Sequence, residues 1–195
     1  MSGPRKLPTV HETVVHMLSD AVDKAAKSTA LVFGSRRLSY AEYGRCVAGF
    51  AHELEALGAR GGRVALVCGN SIEMAVAMFA VHAAGAQAVP VNPIYTAREL
   101  SHILSDADPV AVVYDGEPAP VVEPLIAELG IAHGIRVGAD GGRLLDTWRQ
   151  DAGIDFPQPL PRPDQLATLQ YTGGTTGLPK GVNNSHGQMT VNISQ

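Results

Sequence analysis

The sequence predicts an α/β protein, with a layered, largely parallel sheet flanked by helices. Three observations lead there. Val64-Ala65-Leu66-Val67-Cys68 and Val110-Ala111-Val112-Val113-Tyr114 are short continuous apolar runs, as in strands buried on both faces. Segments with apolar residues at helical spacing stand between such runs. Glycines and polar turns separate the two kinds of segment, and alternation of this sort lays successive strands parallel.

Taken in order, residues 1–8 are polar and proline-containing and read as a mobile lead-in. Thr9-Val10-His11-Glu12 has the form of a capping box, with Val14, Leu18, Ala21, Val22 and Ala25 on one helical stripe behind it. Ala30 to Phe33 reads as a strand, Gly34-Ser35-Arg36 as a turn, and Arg37-Leu38 as the return. Ser39-Tyr40-Ala41-Glu42 is a second capping box, and its helix carries Tyr43, Val47, Phe50, Leu54 and Leu57 before Gly58 closes it. After the strand at Val64, Gly69-Asn70-Ser71 turns the chain into a helix from Ile72 to Ala84. Ala88 to Val91 is the next short strand. Thr96-Ala97-Arg98-Glu99 is a third capping box, opening a helix through Asp106. Val121 to Leu129 is expected to be helical and Ile131 to Val137 extended. Proline-rich Phe156 to Pro163 is a stiff linker to a new strand, Leu166 to Tyr171.

Composition narrows the function. The net charge of −4 and the mixed placement of charges leave no basic field for nucleic acid. The longest apolar stretch, Met74 to Ala88, is interrupted by His82, Gly85 and Gln87 and is too short to span a bilayer. Cys46 and Cys68 have no C-x-x-C spacing, and no signal peptide precedes them, so free thiols in a reducing cytoplasm are expected. The seven histidines are scattered and predict no zinc site. Trp148 reads as a packing residue.

The chemistry is concentrated in Leu169-Gln170-Tyr171-Thr172-Gly173-Gly174-Thr175-Thr176-Gly177-Leu178-Pro179-Lys180-Gly181-Val182. Glycines let backbone N–H groups approach an anion, because no Cβ intervenes. Hydroxyls of Thr175 and Thr176 can donate to phosphate oxygens or ligate Mg²⁺, and Lys180 supplies a positive charge on a flexible stem. This is no Walker A loop, which needs Gly-Lys followed by Ser or Thr at the start of a helix. Here Pro179 precedes Lys180 and Gly181 follows it, so the lysine is expected to leave into an extended segment.

This stretch resembles the signature loop of the adenylate-forming superfamily. The superfamily pattern is aromatic-Thr-Ser-Gly-Ser/Thr-Thr-Gly-x-Pro-Lys-Gly. Tyr171, Thr172, Gly174, Thr175, Thr176, Gly177, Pro179, Lys180 and Gly181 match it, and Gly173 stands where many members have serine. The Thr-Gly-Gly form is most similar to fatty-acyl and related acyl-CoA ligases. A weaker likeness extends upstream through Pro90 to Leu100 and Ile103 to Asp106. The resemblance implies an ATP-dependent acyl-CoA synthetase: a carboxylic acid and ATP give acyl-adenylate and pyrophosphate, and CoA then takes the acyl group. It implies that Thr172, Gly173, Gly174, Thr175, Thr176, Gly177 and Lys180 hold the phosphates, with Thr176 also on Mg²⁺. An adenylation domain loading a carrier protein and a non-catalytic truncated module are the alternatives.

The expected organisation is an α/β subdomain over 9–155, a linker over 156–164, and the start of a second subdomain over 165–195 with the phosphate loop at 171–181. The resemblance also implies an adenine site, a ribose-binding aspartate and a carboxy-terminal lysine domain outside this sequence. The chain is therefore expected to be an amino-terminal fragment, inactive alone and prone to self-association. Ser185 is expected to cap a helix, with the acyl or nucleotide pocket as a lesser reading for His186. Asn183 and Asn184 stand where the family has a more apolar pair and would need partners in a core strand.

Overall fold

The computed structural model describes residues 10–174 and 177–195, with side chains throughout except at 173–178. Helix α1 (Val14–Ala25) leads into a hairpin of β1 (Thr29–Phe33) and β2 (Arg36–Ser39). Then follow α2 (Tyr40–Ala56), β3 (Arg63–Val67), α3 (Ile72–Ala83), β4 (Gln87–Pro90), α4 (Ala97–Ala107), β5 (Ala111–Tyr114), α5 (Ala119–Leu129) and β6 (His133–Arg136). A 3₁₀ turn at Thr147–Gln150 precedes β7 (Leu166–Gly174), β8 (Gly177–Ser185) and α6 (His186–Ile193).

Six strands form one sheet in the order β6-β5-β3-β4-β7-β8. Every neighbouring pair is parallel except β7–β8, which is an antiparallel hairpin. The period-two alternation of strand side chains builds two cores. Val64 and Leu66 face the layer of α1, α2 and α3, with Val47, Phe50, Leu54, Val76 and Val81. Ala65 and Val67 face α4 and α5, with Leu100, Ile103, Leu104 and Val122. Burial on both faces explains why β3 and β5 carry no polar residue between Val64 and Val67 or between Ala111 and Tyr114.

The capping boxes at Ser39/Glu42 and Thr96/Glu99 are both formed. The first cap is not the one expected. Thr9 lies outside the described residues, and α1 is capped by Thr13, whose Oγ1 accepts from the His16 N–H at 3.3 Å. Thr13 adjoins the first residue of the buried stripe, Val14, so packing sets where the helix begins. The residues of the expected lead-in also lie outside the described ones.

Beyond the proline-rich stretch the chain returns to the same sheet. β7 adds parallel to β4, with Ala88 opposite Thr168. The hairpin β1–β2 is tied down by charge. Glu73, 2% exposed in the first turn of α3, accepts both terminal nitrogens of Arg36, at 3.1 and 2.7 Å. Arg36 also reaches Asp146 at 2.9 Å, which joins the segment after β6 to the same cluster.

Trp148 packs as expected, 6.4 Å from Phe50 between ring centres. It lies directly over Gly49 of α2, where an added Cβ would stand 2.3 Å from the indole ring. Gly49→Ala is therefore expected to destabilise the protein by about 1–3 kcal/mol through overpacking. The checks are a lower urea midpoint and a red-shifted Trp148 emission. An unchanged midpoint would mean that the indole lifts away at no cost.

Candidate phosphate-binding hairpin

The glycine- and threonine-rich motif is a β-hairpin rather than an extended loop. β7 runs to Gly174 and β8 starts at Gly177, with Gly174 opposite Gly177 and Thr172 opposite Lys180. Gly173, Gly174 and Gly177, expected in a loop, thus lie in strands, because antiparallel ladder bonds organise the backbone on both sides. Thr175 and Thr176 lie outside the described residues, as does any contact of Thr176 with a metal ion. Between the rungs Thr172–Lys180 and Gly174–Gly177, β8 uses one residue more than β7. The extra residue falls at Leu178-Pro179, where proline has no N–H to give to a ladder.

Lys180 is exposed on β8, extended as its neighbours Pro179 and Gly181 predict, and makes no ion pair among the described residues. Opposite it, Thr172 is also exposed, and its hydroxyl donates to the Lys180 carbonyl at 3.4 Å, a long and weak bond. An ammonium and a hydroxyl therefore stand side by side on one open surface beside the glycine-flanked tip. That donor set fits a polyphosphate, which is anionic and rich in acceptors.

Below this surface the hairpin is tightly packed. Tyr171 is 6% exposed, and burial, with donation to Asp106, pushes its phenol well above the ordinary range. Gly181 leaves room for it: an added Cβ there would lie 2.8 Å from Leu169 Cδ1 and 3.4 Å from Tyr171 Cζ. Two side chains of α4 also reach the hairpin, His102 to the Pro179 carbonyl and Asp106 to the Tyr171 hydroxyl. Neither was singled out in the sequence. The available signal was only that they lie four apart on the polar side of an amphipathic helix.

β8 is the sheet's edge among the described residues, which answers the question of its asparagines. Asn183 is exposed and accepts from Gln87 Nε2 at 2.8 Å, so its amide is not stranded in a core, and Asn184 is half-buried. Ser185 caps α6 in a capping box with Gln188. His186 does not face the hairpin's open surface. It is buried at 1% exposure, with its ring 5.3 Å from that of His82 on α3. An apolar groove of about 690 Å³ lies elsewhere, lined by Met17, Phe33, Tyr40, Met74 and Phe79 among others, and β7 and β8 contribute none of its lining.

Known proteins resemble the chain as a whole. The family model described as AMP-binding enzyme matches residues 18–195. The long-chain-fatty-acid–CoA ligase of Escherichia coli O6:H1 is 31% identical over 219 aligned positions, covering 96% of this chain and 39% of the relative. Long-chain-fatty-acid–CoA ligase FadD13 of Mycobacterium tuberculosis is 37% identical, over 77% of this chain and 30% of its own length. The inhibitor-bound crystal structure of the N-terminal domain of FACL13 from Mycobacterium tuberculosis superposes with a TM-score of 0.79 at 33% identity, covering 90% of this chain and 45% of that one. The chain thus spans less than half the length of each of these proteins.

Proposed function

The chain belongs to the AMP-binding enzyme family, and from that premise we propose that it is the amino-terminal part of an ATP-dependent acid–CoA ligase whose β7–β8 hairpin grips the departing pyrophosphate. The observation that carries the reading is the pairing of exposed Lys180 with exposed Thr172 on the two strands that flank the glycine-bounded tip.

A carboxylate is a poor acyl donor because its oxygen cannot leave. Attack of the carboxylate oxygen on the α-phosphorus of ATP forms a C–O–P linkage and breaks the bond to pyrophosphate. The thiol of CoA then displaces AMP. In this scheme the hairpin acts on the first step alone. Lys180 stabilises charge as it accumulates on the leaving phosphates, and the N–H groups at the tip orient them. Thr175 and Thr176 complete the donor set. Mg²⁺, when bound, neutralises phosphate charge, and the Thr176 hydroxyl is its proposed ligand here. The E. coli and Mycobacterium relatives support a fatty acid as the carboxylate.

The proposed setting is cytoplasmic. Cys46 and Cys68 are both buried and free, and burial first of all pushes the Cys46 thiol up to about 12, so these are packing residues rather than nucleophiles. Among the described residues no helix is long and apolar enough to cross a membrane. Exposed apolar side chains at Leu166, Val182 and Val191 support a covered face on β7, β8 and α6 in the whole protein, met by a carboxy-terminal part of the same enzyme or by self-association.

Calorimetric titration of the chain with pyrophosphate and with ATP, in Mg²⁺, tests the hairpin. Lys180→Ala is expected to weaken binding about tenfold or more, the loss of one charge-assisted contact. Lys27→Ala, which removes an exposed cation elsewhere, should leave it unchanged. No binding by the unaltered chain, or equal losses in both variants, would remove the reading.

A further inference from the structure

Helix α4 holds the hairpin at two points, one on each strand. His102 Nε2 lies 3.1 Å from the Pro179 carbonyl oxygen. A carbonyl only accepts, so Nε2 carries the proton and donates. Asp106 Oδ2 accepts the Tyr171 hydroxyl at 2.5 Å.

The two contacts share one geometry. His102 and Asp106 are four residues apart, on one face of the helix and separated by a rise of about 6 Å. Tyr171 stands opposite Gly181, and Pro179 lies two strand residues beyond that rung, about 6.7 Å along β8. The two spacings are similar, so residues four apart on α4 can reach both points of the hairpin. The braced points bracket Lys180. Pro179 immediately precedes it, and Gly181, the partner of Tyr171, immediately follows it. The missing Cβ of Gly181 keeps this arrangement open, since Leu169 and Tyr171 occupy that space.

Thr96 and Glu99 cap this helix in a reciprocal box, so its first turn is well defined. His102 is only half-buried and Asp106 is exposed, so neither is a pillar of the core.

We propose that His102 and Asp106 are positioning residues of the phosphate hairpin: acting through Pro179 and Tyr171, they fix the direction in which Lys180 leaves β8 and so set its affinity for the pyrophosphate part of the nucleotide. The inference rests on the phosphate-binding reading above. Neither side chain touches the ligand. Losing a brace lets the strand twist and spreads the ammonium over more positions, and ordering it again on binding weakens affinity.

The experiment uses the chain itself, with pyrophosphate and Mg²⁺ as the probe. His102→Ala, His102→Gln, Asp106→Ala and Tyr171→Phe are compared by calorimetric titration, thermal melting and amide exchange at Thr172 and Lys180. His102→Ala is expected to weaken binding about five- to tenfold, the span of one net hydrogen bond, and to speed exchange at both amides. Its Tm should move by no more than about 2 °C, given the partial exposure of the ring. His102→Gln, which keeps an N–H at similar reach, should recover most of the affinity. Asp106→Ala removes the acceptor and Tyr171→Phe the donor of the same bond, so the two should weaken binding alike. In a Lys180→Ala background, His102→Ala should change affinity no further, because its effect passes through that lysine.

Unchanged affinity in His102→Ala and Asp106→Ala, with the unaltered chain binding normally, overturns the inference and leaves the phosphate reading standing. So does a loss of affinity that follows Tm and that glutamine fails to rescue, since that describes general loosening. No pyrophosphate binding by the unaltered chain defeats the phosphate reading itself, and this inference with it.

Discussion

In a whole acid–CoA ligase carrying this segment, Lys180→Ala is expected to slow acyl-adenylate formation by about 10²–10³-fold, the usual cost of removing one donor from a developing anion in a dry site. Thioester formation from a supplied acyl-adenylate should stay within about threefold of the unaltered enzyme, since an interaction absent from a step cannot change its barrier. The asymmetry follows from the order of bond breaking. Pyrophosphate has already left when the thiol attacks, and Lys180 is assigned to pyrophosphate alone. Thr176→Ala is expected to show the same pattern with a smaller effect, because a hydroxyl contact is weaker than a charge-assisted one. Pyrophosphate release on mixing with ATP and acid reports the first step, and consumption of synthetic acyl-adenylate by CoA reports the second. Equal damage to both would make the hairpin a general structural element of the site.

The legibility of this chain divides by range. Ser39-Tyr40-Ala41-Glu42 and Thr96-Ala97-Arg98-Glu99 gave their helix starts to the residue, because a capping box is a local bond between residues three apart. The apolar runs at Val64 and Val110 gave the buried strands, because two covered faces leave no polar position. Thr9 misled for an instructive reason. The cap is Thr13, four residues later, because the burial of Val14 and Val15 sets where the helix begins.

The phosphate motif was legible as composition and as a resemblance, with a strand before it and an extended segment at Lys180, but the pairing of the two into a hairpin was not. Its ladder depends on Val182 to Ser185 folding back on Leu166 to Gln170. Nothing local to the glycines encodes that return. His102 and Asp106 were hidden for the same reason, since their partners lie on strands far along the chain. The asparagine pair looked troublesome because a strand next to a phosphate motif was assumed central. At the sheet's edge Asn183 is exposed, and one bond to Gln87 suffices. Edge position is a property of strand order, which no window of sequence contains.

The second large effect expected of this protein is loss of stability in mild acid, driven by two histidines outside the hairpin. His82 of α3 and His186, the first residue of α6, meet edge to face at 5.3 Å, and each is 1% exposed. Neither nitrogen of His82 has a hydrogen-bond partner among the described residues, and the same holds for His186 Nδ1. Burial, reinforced by His186, lowers the His82 imidazole to about 3. Burial, reinforced by His16 of α1, lowers His186 to about 4. Both rings are therefore neutral in the folded protein at pH 5, whereas in the unfolded chain they protonate near the ordinary value of about 6.5. The unfolded state binds more protons throughout this window, so stability is fully present above pH 6.5 and falls as the pH drops toward the folded values. Each unit of pH is worth about 1.4 kcal/mol per histidine, so the pair should cost on the order of 4 kcal/mol between pH 7 and 5. That is a large part of the stability of an ordinary domain. The window lies above the range where most carboxylates titrate, which isolates the histidines. Urea midpoints measured at pH 7 and pH 5 report the loss. His82→Leu should remove about half of it, since a leucine of similar bulk takes no proton and leaves no buried nitrogen unpaired. α6 should respond first, because His186 sits in its first turn and the helix meets the rest of the fold along this contact. Amide exchange in His186–Ile193 should therefore accelerate at pH 5 before that of α2 or α3. A stability that is flat from pH 7 to 5, or a His82→Leu variant as acid-sensitive as the parent, would mean that the two rings are hydrated or hydrogen-bonded in solution.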